Sequence, residues 1–100
     1  MAYTAHNSMI TTETRLKLGP RARFRRFEDD GIVLNQTTAE ALVVSDVATR
    51  LLELSDGTRT LADCAVALAT EFDAPPETIE SDLLRFANEL VETGAAVVVS

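Results

Sequence analysis

One hundred residues with 46% apolar content make a single domain able to fold without staples, and the lone Cys64 excludes an intrachain disulfide. No apolar run reaches the roughly 18 residues of a membrane span, and residues 1–9 lack the apolar stretch of a signal peptide, so the chain reads as soluble and cytoplasmic. The net charge of −7 is uneven: residues 1–27 carry six basic side chains against Glu13, whereas residues 28–100 carry three against fifteen acids, a body that disfavours polyanions as partners.

Residues 1–19 are polar, aperiodic and rich in Thr, which predicts a flexible tail containing the only histidine, His6. Gly19-Pro20 is a breaker pair, so the tail is placed over residues 1–20 and the domain over 21–100. Residues 21–28 set Phe24 and Phe27 among arginines and read as a first strand. Glu28-Asp29-Asp30-Gly31 reads as a turn, with Gly31 supplying a positive φ. Ile32-Val33-Leu34 is a second strand, residues 35–40 a hairpin loop, and Ala41-Leu42-Val43-Val44 a third strand.

Helical signals follow. Ser45 is an N-cap and Asp46 suits the positive helix end. Val47, Leu51 and Leu54, flanked by Ala48 and Leu52, form one apolar face. Asp56-Gly57 ends this helix, with Gly57 as a left-handed cap. Thr60 and Asp63 then make a variant capping box, and Leu61, Ala65, Leu68 and Phe72 give the second helix its face. Residues 73–76 close it, and Pro76 suits the first turn of a third helix. Ile79, Leu83, Phe86 and Leu90 form the stripe of that helix, widened by Ala87 and Val91, and Gly94 stops it. Residues 95–99 read as a short terminal strand or wing. The expected fold is α+β and winged helix-turn-helix-like, a three-stranded antiparallel sheet followed by three helices.

Catalytic chemistry has no foothold in these residues. One tail histidine supports no Ser-His-Asp arrangement, no Cys/His cluster supplies zinc ligands, and no Gly-rich loop cradles a phosphate. Asp29-Asp30 reads as a solvated turn, and the acids of the third helix read first as its solvated face. The expectation is a non-enzyme without cofactor or metal.

From Arg21 to Val99 the chain resembles the PqqD-like family, the recognition elements for ribosomally synthesised precursor peptides. The resemblance rests on an ordered set: Gly31-Ile32-Val33-Leu34, the loop into residues 41–44, the helix ending Leu51-Leu52-Glu53-Leu54-Ser55-Asp56-Gly57, the Thr58-Arg59-Thr60-Leu61-Ala62-Asp63 start of the next helix, and the last helix from Ile79 through Leu90 to Gly94. It implies a non-catalytic adaptor that binds the leader of a precursor peptide as an added strand and presents it to a modifying enzyme, a radical S-adenosylmethionine maturase, a protease or a cyclase. It further implies that the leader lies along the third strand, in the cleft against the third helix. Members serving the quinone-cofactor pathway tend to carry a Pro-Glu pair on the second strand. This chain lacks it, which favours a relative serving another peptide.

The residues accommodate that reading. A short apolar edge strand is a template for β-augmentation. The expected contacts are the backbone and side chains of Ala41, Leu42, Val43 and Val44, and Leu83, Phe86 and Leu90 on the helix, with Asp82, Arg85 and Glu89 flanking that stripe for leader charges. Two alternatives stand beside it. A winged-helix DNA-binding protein would use the third helix for recognition, but residues 77–92 carry five acids and one Arg85, which argues against nucleic acid. A dimerising structural domain would pair the exposed strand with a second copy.

Overall fold

The computed structural model describes residues 10–99. They form an α+β fold with the order β1 (Arg15–Leu18), β2 (Ala22–Phe27), β3 (Asp30–Asn35), β4 (Glu40–Val44), α1 (Asp46–Leu54), β5 (Asp56–Thr60), α2 (Leu61–Glu71), α3 (Pro76–Glu92) and β6 (Ala96–Val98). The strands make two antiparallel sheets of three, ordered β2-β3-β4 and β5-β1-β6.

The first sheet is the expected meander. Alternation along β3 turns Val33 inward, where it is buried, and Ile32 and Leu34 outward. Gly31 has a different role from the one expected. The left-handed residue of the β2–β3 turn is Glu28 (φ 58), while a Cβ on Gly31 would strike the side chain of Thr49 on α1. Glycine at position 31 therefore lets the sheet approach the helix closely.

The second sheet corrects the expected tail and the expected fold. Arg15–Leu18 is no tail: it is the central strand of that sheet, with Leu16 fully buried opposite Val98 and with Ile10 and Leu16 both in the core. Residues 1–9, His6 among them, lie outside the described residues. The expected direct passage from the first helix to the second is interrupted by β5, which pairs with β1. Gly57 is left-handed (φ 88) as expected, yet it sits inside β5, at an irregularity in the β1–β5 register, and the helix cap is Ser55. The terminal strand is present as β6.

Helix starts follow the sequence signals. The Ser45 hydroxyl accepts from the Ala48 N–H at 3.2 Å. Thr60 Oγ1 accepts from the Asp63 N–H, and Asp63 Oδ2 accepts from the Thr60 N–H, both at 3.1 Å. The apolar faces meet in one core whose fully buried leucines are Leu16, Leu51, Leu61, Leu68, Leu83 and Leu90. Each contributes about 1.5–3 kcal/mol by leaving water.

An ionic chain seats the first sheet on the helices. Arg26, on the inner side of β2, donates from Nε and Nη2 to the two Glu53 carboxylate oxygens at 3.1 Å and from Nη1 to Asp46 at 3.1 Å. Arg50 joins Glu53 at 3.3 Å to Glu71 on α2 at 2.8 Å. The paired cations hold the Glu53 and Glu71 carboxyls below their ordinary range, and the carboxylates hold both guanidiniums higher.

Candidate functional site

Strand β4 is the outermost strand of its sheet. It pairs with β3 through Gly31↔Val44, Ile32↔Val43, Val33↔Leu42, Leu34↔Ala41 and Asn35↔Glu40, and among the described residues no strand pairs with its other side. Its free edge carries backbone donors and acceptors. No Lys, Arg or Pro interrupts it.

The edge overhangs a groove whose opposite wall is α3. Leu42 and Val44 stand across from inward Val33 and Gly31, so they share the inner face. Toward the start of α1 the groove is an apolar cleft of about 150 Å³ between Leu42–Val44 and Phe86 and Leu90, with Ala48 at its end and Glu89 on its rim. Toward the β3–β4 turn it widens to about 590 Å³ and becomes more polar, lined by Val33, Asn35, Thr38, Glu40, Glu92 and Thr93. Leu42 belongs to both parts.

The expected site residues divide accordingly. Ala41, Leu42, Val43, Val44, Phe86, Glu89 and Leu90 line the groove. Leu42 is 41% exposed on the inner face, and Val43, which stands across from outward Ile32, is 69% exposed on the other face. Leu90 is almost fully buried and forms floor rather than wall. Leu83 does not reach the groove: it is 0% exposed and belongs to the core. Asp82 and Arg85 are paired with each other at 3.4 Å, and the Arg85 guanidinium lies 5.0 Å from the Phe86 ring centroid. Neither lines the groove, though Arg85 covers one face of a residue that does.

Sequence reasoning missed the wide end. Asn35, Glu40, Glu92 and Thr93 meet there only because β3 and α3 finish at the same end of the domain. The Asn35 side chain bridges the walls, donating to the Thr93 carbonyl at 2.8 Å. The available signal was Asn at a hairpin start, where its side chain caps the turn: Oδ1 accepts from the Thr37 and Thr38 N–H groups at 2.9 and 3.3 Å.

Chemically, the groove offers main-chain hydrogen bonds, apolar contact and a carboxylate-bearing rim. Cys64 is buried on α2, where burial pushes its thiol up and away from reactivity. Among the described residues no three His, Cys, Asp or Glu side chains gather to hold a metal, and no helix is long and apolar enough to cross a membrane.

Comparison with known proteins agrees with this architecture. A family model described as coenzyme PQQ synthesis protein D (PqqD) matches residues 30–95. The PqqA binding protein of Gluconobacter oxydans (strain 621H) is 39% identical over 74 residues, 74% of this chain and 75% of that protein. The PqqA binding protein of Rhizobium meliloti (strain 1021) is 31% identical over 87 residues, 87% of this chain and 89% of that one. Two solved structures share the fold. The PqqD truncation of Methylobacterium extorquens PqqCD, described as a stand-alone recognition element for ribosomally synthesised and modified peptides, has a TM-score of 0.77 at 23% identity over 92% of this chain and 98% of its own. TbiB1, solved in complex with the TbiA(beta) leader peptide, has a TM-score of 0.71 at 19% identity, covering 80% and 93%.

Proposed function

The chain belongs to the PqqD family, and from this premise we propose that it is a non-catalytic adaptor that binds the leader of a ribosomally made precursor peptide by strand addition. The observation that carries the reading is the unpaired edge of β4 above an apolar cleft walled by α3. Strand addition takes affinity from main-chain hydrogen bonds and specificity from pockets that accept alternate side chains. Here the inward row Val44, Leu42, Glu40 faces Phe86, Leu90 and Glu92 across the groove. A leader strand laid on β4 would thus place every second side chain between sheet and helix.

The adaptor would present the bound peptide to a modifying enzyme, a radical S-adenosylmethionine maturase, a protease or a cyclase, in the cytoplasm where ribosomal precursors are made. The relatives are named for binding PqqA. A PqqA-type peptide is therefore the first leader to test, despite the missing Pro-Glu pair. The α2–α3 pair with β6 supports a winged-helix-like description of the topology, but the five acids and single arginine of residues 77–92 oppose its use on DNA.

The test is an amide NMR titration of the full chain with the leader encoded beside its gene, against a scrambled leader. Shifts concentrated in residues 40–45 and 86–93 are expected, with no turnover of the peptide. No response to the true leader, together with concentration-dependent sedimentation, would instead assign the β4 edge to a homodimer.

A further inference from the structure

The sheet that supplies the β4 edge has a second face, turned away from the helices. In a one-sided antiparallel sheet the outward positions are ordinarily polar. Here the outward positions that continue across β3 and β4 are Ile32, Leu34, Ala41 and Val43, with Ile32 40% and Leu34 41% exposed. Register joins them to β2 in two cross-strand rows, Arg25–Ile32–Val43 and Arg23–Leu34–Ala41. Each apolar pair is therefore edged by one arginine.

The eight arginines of the chain divide evenly between ion-paired and unpaired among the described residues. Arg26, Arg50, Arg59 and Arg85 are all ion-paired with carboxylates. Arg23 and Arg25, like Arg15 and Arg21, form no ion pair among the described residues, although the chain has sixteen acids; of these four, Arg23 and Arg25 are the two that edge the apolar rows. The fold makes no use of either the exposed aliphatic side chains or these two charges. Contiguous exposed apolar surface rimmed by charge marks an interaction site, and Arg beside apolar residues is typical of interface centres.

We propose that this outer face docks a protein whose contact patch has an apolar centre and a carboxylate rim, namely the modifying enzyme that receives the peptide; that identity rests on the adaptor reading. A second copy fits less well. Face-to-face pairing about a two-fold axis would bury both sets of arginines with Asp30 as the only carboxylate that the described strands place on the face. A single-stranded nucleic acid would want several aromatic platforms, whereas the face offers one, the exposed Phe27 opposite Asp30, on a chain of net charge −7.

The probe is the purified peptide-modifying enzyme encoded beside this gene, titrated into the full chain with leader present. Arg23→Glu/Arg25→Glu should weaken enzyme binding by at least about tenfold and flatten its salt dependence, while leader affinity stays within about twofold. Ile32→Thr/Leu34→Thr, which leaves the charges in place, should weaken it comparably. Circular dichroism checks that both variants fold. Wild-type enzyme affinity in both variants overturns the proposal, as does enzyme-induced broadening that spares Arg23, Arg25, Ile32 and Leu34. Loss of a wild-type dimer in the variants, or duplex or single-stranded DNA bound in place of the enzyme, overturns it too. The leader titration is read separately: a wild-type chain that binds enzyme through this face but no leader sinks the adaptor reading alone.

Discussion

Asn35 Nδ2 donates to the Thr93 carbonyl at 2.8 Å, joining the end of β3 to the end of α3. The same side chain holds the β3–β4 turn through Thr37 and Thr38. One residue thereby sets both the start of the exposed edge and its distance from the helix opposite. Asn35→Ala is expected to lower stability by about 1 kcal/mol, in line with one lost hydrogen bond. It should weaken leader binding more than that loss of stability explains, and calorimetric titration beside urea unfolding separates the two effects. Equal leader affinity in Asn35→Ala would show that the bridge does not set the groove.

The groove and the core make opposite predictions for neighbouring turns of α3. Leu42→Asp and Phe86→Ala alter groove side chains, and each should cost leader affinity at least about tenfold, or ~1.4 kcal/mol, with little change in unfolding midpoint for exposed Leu42 and a lowered one for Phe86, whose ring also packs against the core. Leu83→Ala should instead cost about 2–5 kcal/mol of stability, because that side chain is fully buried. The fraction that remains folded should bind leader normally. Binding lost in folded Leu83→Ala protein would place that residue in the site after all.

Removing β1 tests where the domain begins. A chain starting at Gly19 lacks the strand that joins β5 to β6, and it lacks the buried Leu16. It should lose its cooperative thermal transition, although β2, β3 and β4 remain whole. A sharp transition retained near the full-length midpoint would contradict the central position of β1.

Acid should act through the Arg26–Glu53–Arg50–Glu71 chain. Glu53 and Glu71 have folded pKa values lowered by their arginines. Their contribution is thus complete above the unfolded carboxylate value, about 4.5, and fades as pH falls through the lower folded values. Stability followed by urea unfolding should drop below that pH, and Glu53→Gln should flatten the drop while lowering the neutral-pH plateau. An unchanged acid slope in Glu53→Gln would remove this chain as the cause.

Much of the fold was legible because its signals are local. The Ser45 cap, the Thr60–Asp63 box and the 4-and-3 spacing of apolar residues each act within one helical turn, and the structure keeps all of them. The second sheet was not legible. Arg15–Leu18 buries one side chain fully, and Asp56–Thr60 has no apolar residue, so both are strands through backbone pairing with distant partners. The site shows the same division. Periodicity found the stripe on α3 but not which of its members faces the core, since Leu83 and Phe86 are one turn apart and differ only in what packs against them. The wide end around Asn35 and Thr93 depends on an approach between residues 58 apart in sequence.

The pairing of Leu16 with Val98 also sets a clock on synthesis. Ribosomes add roughly 5–20 residues per second, so the strand at residues 15–18 waits roughly 4–17 seconds before residues 96–98 exist to meet it. For much of that interval, from the synthesis of residue 44 to that of residue 92, all three strands of the β2–β3–β4 meander exist while α3, the far wall of the groove, is unfinished. The nascent chain therefore shows an open β edge before it has a groove to select what lies on it, and this is the stage most exposed to pairing with the wrong strand.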